Sequence, residues 1–235
     1  MSAIFKRELR SYFTGAIGYV FLVLYLAVGG AAFCYTTLFS MSADVTTYFL
    51  YMLIFSAIGL PLLTMKSFSE ERKIKTEQLI LTAPVSITSM VFAKFFAAYI
   101  MFASAMILTS LYFLFLIPYA TVKIGLLLGN LVAILLVGMV FISIGLYVSS
   151  LTENQLAAAV GTIAIILAFL LIGLVSSLLP SSYWLRFVFD FFSIFTRFQG
   201  FTNGYFDIAS LVYYLSISAI FLYMTIRVYD RRRYN

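Results

Sequence analysis

The sequence predicts an all-α, polytopic membrane protein with six transmembrane helices. Composition sets the solvent. Of the 235 residues 63% are hydrophobic and 10% are charged, against roughly 45–50% and about 25% in soluble domains, so lipid must cover the surface. Length sets the number of spans. Uncharged runs fall at 11–43, 45–65, 95–122, 124–152, 154–185 and 208–226, and each reaches the ~20 apolar residues a helix needs to cross. Periodicity sets the element type, because no segment alternates apolar and polar residues as a transmembrane strand must. Residues 1–235 read as a single membrane domain with no soluble domain attached.

No cleavable signal peptide is expected: the first apolar run is too long and no A-x-A site follows it. Cys34 is the only cysteine and rules out an internal disulfide. The absence of histidine removes His-based metal sites, Ser/His/Asp triads and HExxH chemistry. With both termini in the cytosol, twelve Lys and Arg residues fall inside and only Lys123, Arg186 and Arg197 outside, the bias that orients membrane proteins. The net charge of +6 therefore reads as topology and contact with anionic lipid, not nucleic-acid binding.

Residues 1–14 are expected to form an N-terminal interfacial helix. Phe5, Leu9, Tyr12 and Phe13 recur at i, i+4, i+7 and i+8, with Lys6, Arg7 and Arg10 on the other side. Gly15 and Gly18 mark the bend into the first span, where Gly29-Gly30-Ala31-Ala32 offers a close-packing patch. The second span carries Pro61 near its cytoplasmic end, where a kink would aim the stretch that follows. Ser86 is a natural cap for the third span, and Lys94 is expected near the surface. The fourth span contains Gly125-x-x-x-Gly129, Gly138 and Gly145, and the fifth Ala157-x-x-x-Gly161, spacings suited to packing within one subunit.

Residues 180–207 are too charged to span and too apolar to float free. Trp184, Phe187, Phe191 and Phe195 recur at helical spacing, so short outer-face helices half-buried in the interface are expected. Arg186 and Asp190 would pair on their wet face. The last span ends in Arg227 and Arg231-Arg232-Arg233, a cytosolic stop.

The densest charge lies in the loop 66–86, KSFSEERKIKTEQLILTAPVS, which holds seven of the 24 charged residues. Ser67 and Glu70 fit the S-x-x-E capping box, so a cytoplasmic helix is expected over 70–75. Glu70 and Glu71 would sit in its first turn, favoured by the helix dipole and free to meet basic groups of a partner. Leu79, Ile80 and Leu81 form an apolar ridge that is costly unless lipid or a partner covers it. Topology requires no acids, so Glu70, Glu71 and Glu77 point to docking. A second polar cytoplasmic turn, Ser149-Ser150-Leu151-Thr152-Glu153-Asn154-Gln155, joins the fourth and fifth spans.

No Asp, Glu, Lys or Arg is expected deep inside a span, which argues against an ion-coupled secondary transporter. Hydroxyls such as Ser104 and Thr109 have no visible base and are expected to bond back to their own helix, so no catalytic, metal or cofactor residue is assigned. There is no Walker A sequence, so any ATP must be hydrolysed by another chain.

Taken together, the interfacial helix, the six spans, Glu70-Glu71-Arg72 with Thr76-Glu77 and Leu79-Ile80-Leu81-Thr82-Ala83-Pro84-Val85-Ser86, and the turn after the fourth span resemble the exporter-type ABC transporter permeases of the ABC-2 superfamily. Arg10-Ser11-Tyr12-Phe13, Gly18-Tyr19-Val20-Phe21 and residues 198–207 are similar further to the gliding-motility-associated and nitrous-oxide-reductase-maturation branch. The resemblance implies a multi-pass permease of the bacterial cytoplasmic membrane that pairs with a second permease. It also implies a separate ATPase subunit holding ATP and Mg, and an extracytoplasmic accessory subunit. The coupling helix then maps onto 70–82, with Glu70, Glu71, Arg72, Thr76, Glu77, Leu79 and Leu81 at the ATPase contact. Thr152, Glu153 and Asn154 make a second cytoplasmic contact. A membrane-embedded assembly or scaffold subunit without transport activity is the alternative.

Overall fold

A computed structural model describes residues 2–41, 44–76, 86–116, 118, 123–178, 193–202 and 207–234. Among these residues the chain is helical throughout, without a strand. α1 is Ser2–Thr14 and α2 is Ala16–Phe33, extended by a π-helical turn at Cys34–Phe39. α3 is Val45–Thr64 and α4 is Lys66–Lys73. α5 is Ile87–Ser110, tightening to a 3-10 turn at Leu111–Leu116. α6 is Ile124–Leu151, α7 is Gln155–Leu178, α8 is Ile194–Thr202 and α9 is Ile208–Tyr234. Six helical stretches are long and apolar enough to cross a membrane: Ala16–Phe39, Val45–Lys73, Ile87–Leu116, Ile124–Leu151, Gln155–Gly173 and Ile208–Arg233. They correspond to the six apolar runs of the sequence.

The bundle is built around α6. It lies against α3, α4, α5, α7, α8 and α9, and Ile134, Val137, Val140, Phe141, Ile144 and Leu146 along it are fully buried. α2, α7 and α9 instead keep one apolar face open, with Val20 and Val23, Leu156 and Val160, and Ile220 and Tyr223 exposed. Faces of this kind suit lipid, where an exposed Leu or Val costs nothing.

Two glycines let α6 sit so centrally. A Cβ at Gly138 would fall 2.0 Å from Phe102 Cε1 on α5, and one at Gly145 would fall 2.1 Å from Thr64 Oγ1 on α3. Gly125 faces open space instead, while a Cβ at Gly129 would stand 3.4 Å from Phe201 O of α8, so only one glycine of the Gly125/Gly129 pair borders a neighbour. Hydroxyls inside the spans return to their own backbone, as expected. Ser104 Oγ donates to Met101 O at 2.8 Å and Thr109 Oγ1 to Met106 O at 3.0 Å.

Helix starts follow local chemistry. Asp44 accepts from Thr46 N and Thr47 N at 3.1 and 3.2 Å to cap α3. Ser86 caps α5 through Ser89 N at 3.4 Å, as its position predicts. Asp207 caps α9 through Ala209 N and Ser210 N, and its bond from the Ser210 hydroxyl holds its carboxyl below the usual range. Gly15 is extended and separates α1 from α2.

Pro61 lies inside α3, which continues to Thr64; Met65 N–H reaches Pro61 O at 2.9 Å, and the turn before α4 falls at Met65. Two expectations change. Ser67 caps nothing, because Met65 is itself helical and α4 follows α3 with no free start. The aromatic face of α8 is not left for lipid or a second subunit. Ile194, Phe198 and Phe201 are buried against α6 and α7, and Phe195 packs on the same core. Trp184, Phe187, Phe191 and the Arg186/Asp190 pair lie outside the described residues.

The close approach at Gly145 makes a paired prediction. Gly145→Ala should destabilise the detergent-purified protein by roughly 1–3 kcal/mol, the usual cost of overpacking, seen as a lower thermal midpoint. Gly125→Ala, with open space around it, should leave the midpoint unchanged or slightly higher.

Candidate functional site

The site lies at the end of the bundle that carries α1, α4 and the close of α9. It begins with one face of α1. Phe5, Glu8, Leu9 and Tyr12 stand at i, i+3, i+4 and i+7 and share that face, and α1 packs along α5 and α2. Gly18 makes the fold-back possible, since a Cβ there would fall 1.8 Å from Tyr12 O. An acid on a face turned into the protein needs a cation, because an unpaired buried charge costs several kcal/mol.

Lys94 of α5 supplies it. Its side chain is 2% exposed, and Nζ donates to Glu71 Oε1 and to Ser67 O at 2.8 Å each and to Glu8 Oε1 at 3.3 Å. The three ammonium donors are all used. Nζ also stands 5.2 Å from the centre of the buried Phe68 ring, a cation–π distance. Arg7 closes the cluster from the water side, 2.8 Å from Glu8 Oε1 and 3.5 Å from Glu71 Oε1. The Glu8 bond raises the Arg7 pKa further above neutrality. The Tyr12 hydroxyl lies 3.3 Å from Ser67 Oγ, and burial pushes its pKa up to about 12. It therefore stays a neutral hydrogen-bonding group.

Two sequence expectations are corrected here. Lys94 is not at the surface, because α1 and α4 cover it. Glu71 is not free for a partner: its carboxylate is committed to Lys94 and Arg7 with 18% of the side chain exposed. The dipole argument for Glu70 and Glu71 also lapses, since α4 has no separate first turn carrying them. The missed residue was Glu8, and a signal existed: an acid spaced to share the apolar face of an amphipathic helix.

A second clamp holds the α3–α4 junction. Ser149 Oγ, from α6, accepts from Phe68 N and Ser69 N at 3.1 Å each and donates to Met65 O at 3.0 Å. Ser149 thus takes up two backbone N–H groups at the turn and shares Met65 O with the Ser69 hydroxyl. A side chain inserted into the i→i−4 ladder is a recognised cause of a helix bend. Phe68 then packs on Tyr229 of α9, ring centres 4.9 Å apart.

A third clamp joins α4 to the turn between α6 and α7. Arg72 donates to Leu151 O at 2.9 Å and pairs with Glu153 at 3.1 Å. Arg232 of α9 donates to Ser150 O at 2.7 Å. Cations on the last carbonyls of α6 satisfy its orphan acceptors and oppose its dipole. The loop after the second span and the turn after the fourth are therefore one connected surface, through Arg72 and Glu153. Thr152 and Asn154 bond within the turn: Asn154 N–H donates to Thr152 Oγ1 and Asn154 Oδ1 accepts from Leu156 N.

α4 ends at Lys73. Ile74 N–H closes on Glu70 O, and Lys75 takes a left-handed φ of 58°. Thr76 Oγ1 donates to Glu71 O at 3.3 Å. Lys73, Ile74 and Lys75 are exposed. Glu77, Leu79 and Leu81 lie outside the described residues. Between α1 and the α3–α4 junction opens a cleft of about 570 Å³, lined by Arg7, Glu8, Tyr12, Ile17, Leu63, Lys66, Glu70 and Lys94 among others.

No family model matches the chain, and no curated protein matches its sequence. The functional reading therefore stands on the fold, the three clamps and the motif resemblance.

The Lys94 cluster predicts a distinctive stability pattern. Lys94→Met should cost roughly 3–5 kcal/mol, because it strands two carboxylates. Adding Glu8→Gln and Glu71→Gln to Lys94→Met should recover most of that loss. Thermal midpoints in detergent give both values, and a triple variant no more stable than the single one would contradict the pairing. Lys75→Gly should raise the midpoint, since it relieves a left-handed lysine worth roughly 1 kcal/mol.

Proposed function

We propose that this chain is the permease subunit of an ATP-binding cassette exporter of the ABC-2 type. It moves its substrate across the membrane while a separate ATPase subunit hydrolyses ATP. The bacterial cytoplasmic membrane, cytosolic termini and a paired permease belong to the same reading. The observation that carries it is the fixation of α4. The span Val45–Lys73 runs on past the apolar zone into α4, and α4 is tied to α1 and α5 by Lys94 and to α6 by Ser149 and Arg72. A push on α4 therefore reaches the central helix without slack, which a coupling element requires: it must register a differential contact between two states.

Within this reading the named residues divide their work. Glu71 and Arg72 act from inside, holding α4. Glu70 lies on the cleft side of α4. Thr76 and the residues after it, Glu77, Leu79 and Leu81, carry the ATPase contact, and Thr152, Glu153 and Asn154 make the second cytoplasmic contact. Lys123 and α8 face the outside, where an accessory subunit would bind.

Two measurements test the proposal. The first is topological. In a Cys34→Ala background, single cysteines replace Ile74, Thr121, Asn154 and Asn203, and an impermeant thiol reagent outside intact cells should label only the positions at 121 and 203. Position 74 suits this because its side chain is exposed, whereas Ser69 is fully buried. The second is functional. The chain should copurify with a Walker-motif ATPase, Leu79→Asp should lose it, and Arg72→Ala should keep it while transport per ATP falls. A scaffold subunit would hold partners without substrate-stimulated hydrolysis, and robust ATP turnover by the isolated chain would refute the assignment.

A further inference from the structure

The cleft between α1 and α4 holds one cation and one anion that have no partner among the described residues. Six charged groups line it: Arg7, Lys66, Lys94, Glu8, Glu70 and Glu71. Arg7 and Lys94 neutralise Glu8 and Glu71 through the contacts above. That leaves one cation and one anion, Lys66 and Glu70. Both are half-buried, and neither has an ion-pair or hydrogen-bond partner for its side chain among the described residues. Lys-to-Glu at i, i+4 is the less favourable helical order for a mutual pair. On α4 their Cβ atoms stand about 5–6 Å apart, as any i, i+4 pair does. The lining also includes the apolar residues Ile17, Leu63 and Ile74, with Ser11 and Tyr12.

We propose that this cleft seats the headgroup of a zwitterionic aminophospholipid, its phosphate on Lys66 and its primary ammonium on Glu70. The two-carbon bridge of an ethanolamine headgroup spans the gap between those side chains. Its ammonium brings donors that Glu70 lacks, and its phosphate brings acceptors that Lys66 lacks. The acyl chains leave past Ile17 and Leu63 into the bilayer. A choline headgroup has no N–H to give Glu70, and a glycerol headgroup has no cation. A serine headgroup would set a second carboxylate against Glu70. The inference rests on the α1 end lying at the membrane surface. It is independent of any ATPase, so it can fail while the permease reading stands, and the reverse.

The test uses the full chain purified in detergent and stripped of lipid. Native mass spectrometry follows adducts on titration with dioleoyl phosphatidylethanolamine, phosphatidylcholine and phosphatidylglycerol. Phosphatidylethanolamine should bind about tenfold more tightly than the other two, the worth of one charge-assisted hydrogen bond. Glu70→Gln and Lys66→Met should each remove that preference, while Lys123→Gln at the opposite end keeps it. Neither cleft side chain holds another residue, so both variants should elute and melt as the parent does. Glycerophosphoethanolamine, the same headgroup without chains, should bind at least about tenfold more weakly. Equal affinity for the three lipids overturns the proposal, as does a preference that survives both cleft variants. Tight binding of the chainless headgroup would assign the cleft to a soluble ligand and overturn the lipid source.

Discussion

A buried ammonium is the constraint on which this end of the molecule depends. Lys94 enters the bundle on an apolar helix and is almost wholly buried. It must find anionic or carbonyl oxygens, and the nearest come from two other elements, Glu8 on α1 and Glu71 with Ser67 on α4. The positions of α1 and α4 follow from that demand. Desolvating a charge costs more than most pairs return unless the geometry is complete, and here every donor of the ammonium has an acceptor. Such a network contributes little net stability compared with an apolar core of the same volume. Its effect is to allow one arrangement of three helices and penalise the rest.

The second constraint is the backbone at the helix ends. α3 and α4 form one long element with a turn at Met65, and the polar groups at that turn are met by two hydroxyls, Ser149 from α6 and Ser69 from α4 itself. The last carbonyls of α6 are met by Arg72 and Arg232. Both sets of contacts converge on α6, whose position depends on the missing side chains at Gly138 and Gly145. The surface that bears the charged loop and the helix that organises the bundle are thus mechanically continuous. That continuity is what a coupling surface needs, and a loop serving only to set orientation would have no use for it.

The same geometry separates residues that look equivalent along the chain. Glu70 and Glu71 are neighbours on one helix. Glu71 turns toward Lys94 and holds the fold, while Glu70 turns toward the cleft beside Lys66. The side chains open to solvent at this end are Lys73, Ile74 and Lys75, not the acids. Phe68 and Ser69, which read as polar-loop residues beside Lys66 and Glu70, are fully buried against α6 and α9.

The sequence by itself determined the class of the protein: apolar runs long enough to span, with too few charges for a soluble fold, leave only helices across a membrane, and their number follows from where the charges interrupt them. It also determined the Ser86 cap, because a cap is a local bond. The face carrying Glu8 was legible for the same reason, through helical spacing. What only the tertiary structure decided is pairing at a distance. That Lys94 is buried, that Glu71 is spent on it, and that Ser149 fills the turn at Met65 depend on helices far apart in the chain meeting at one end. Which span occupies the centre also depends on three-dimensional packing: Ile124–Leu151 and Gln155–Gly173 share the highest mean hydropathy, yet only the first is mostly buried, where the close approaches at Gly138 and Gly145 admit its neighbours.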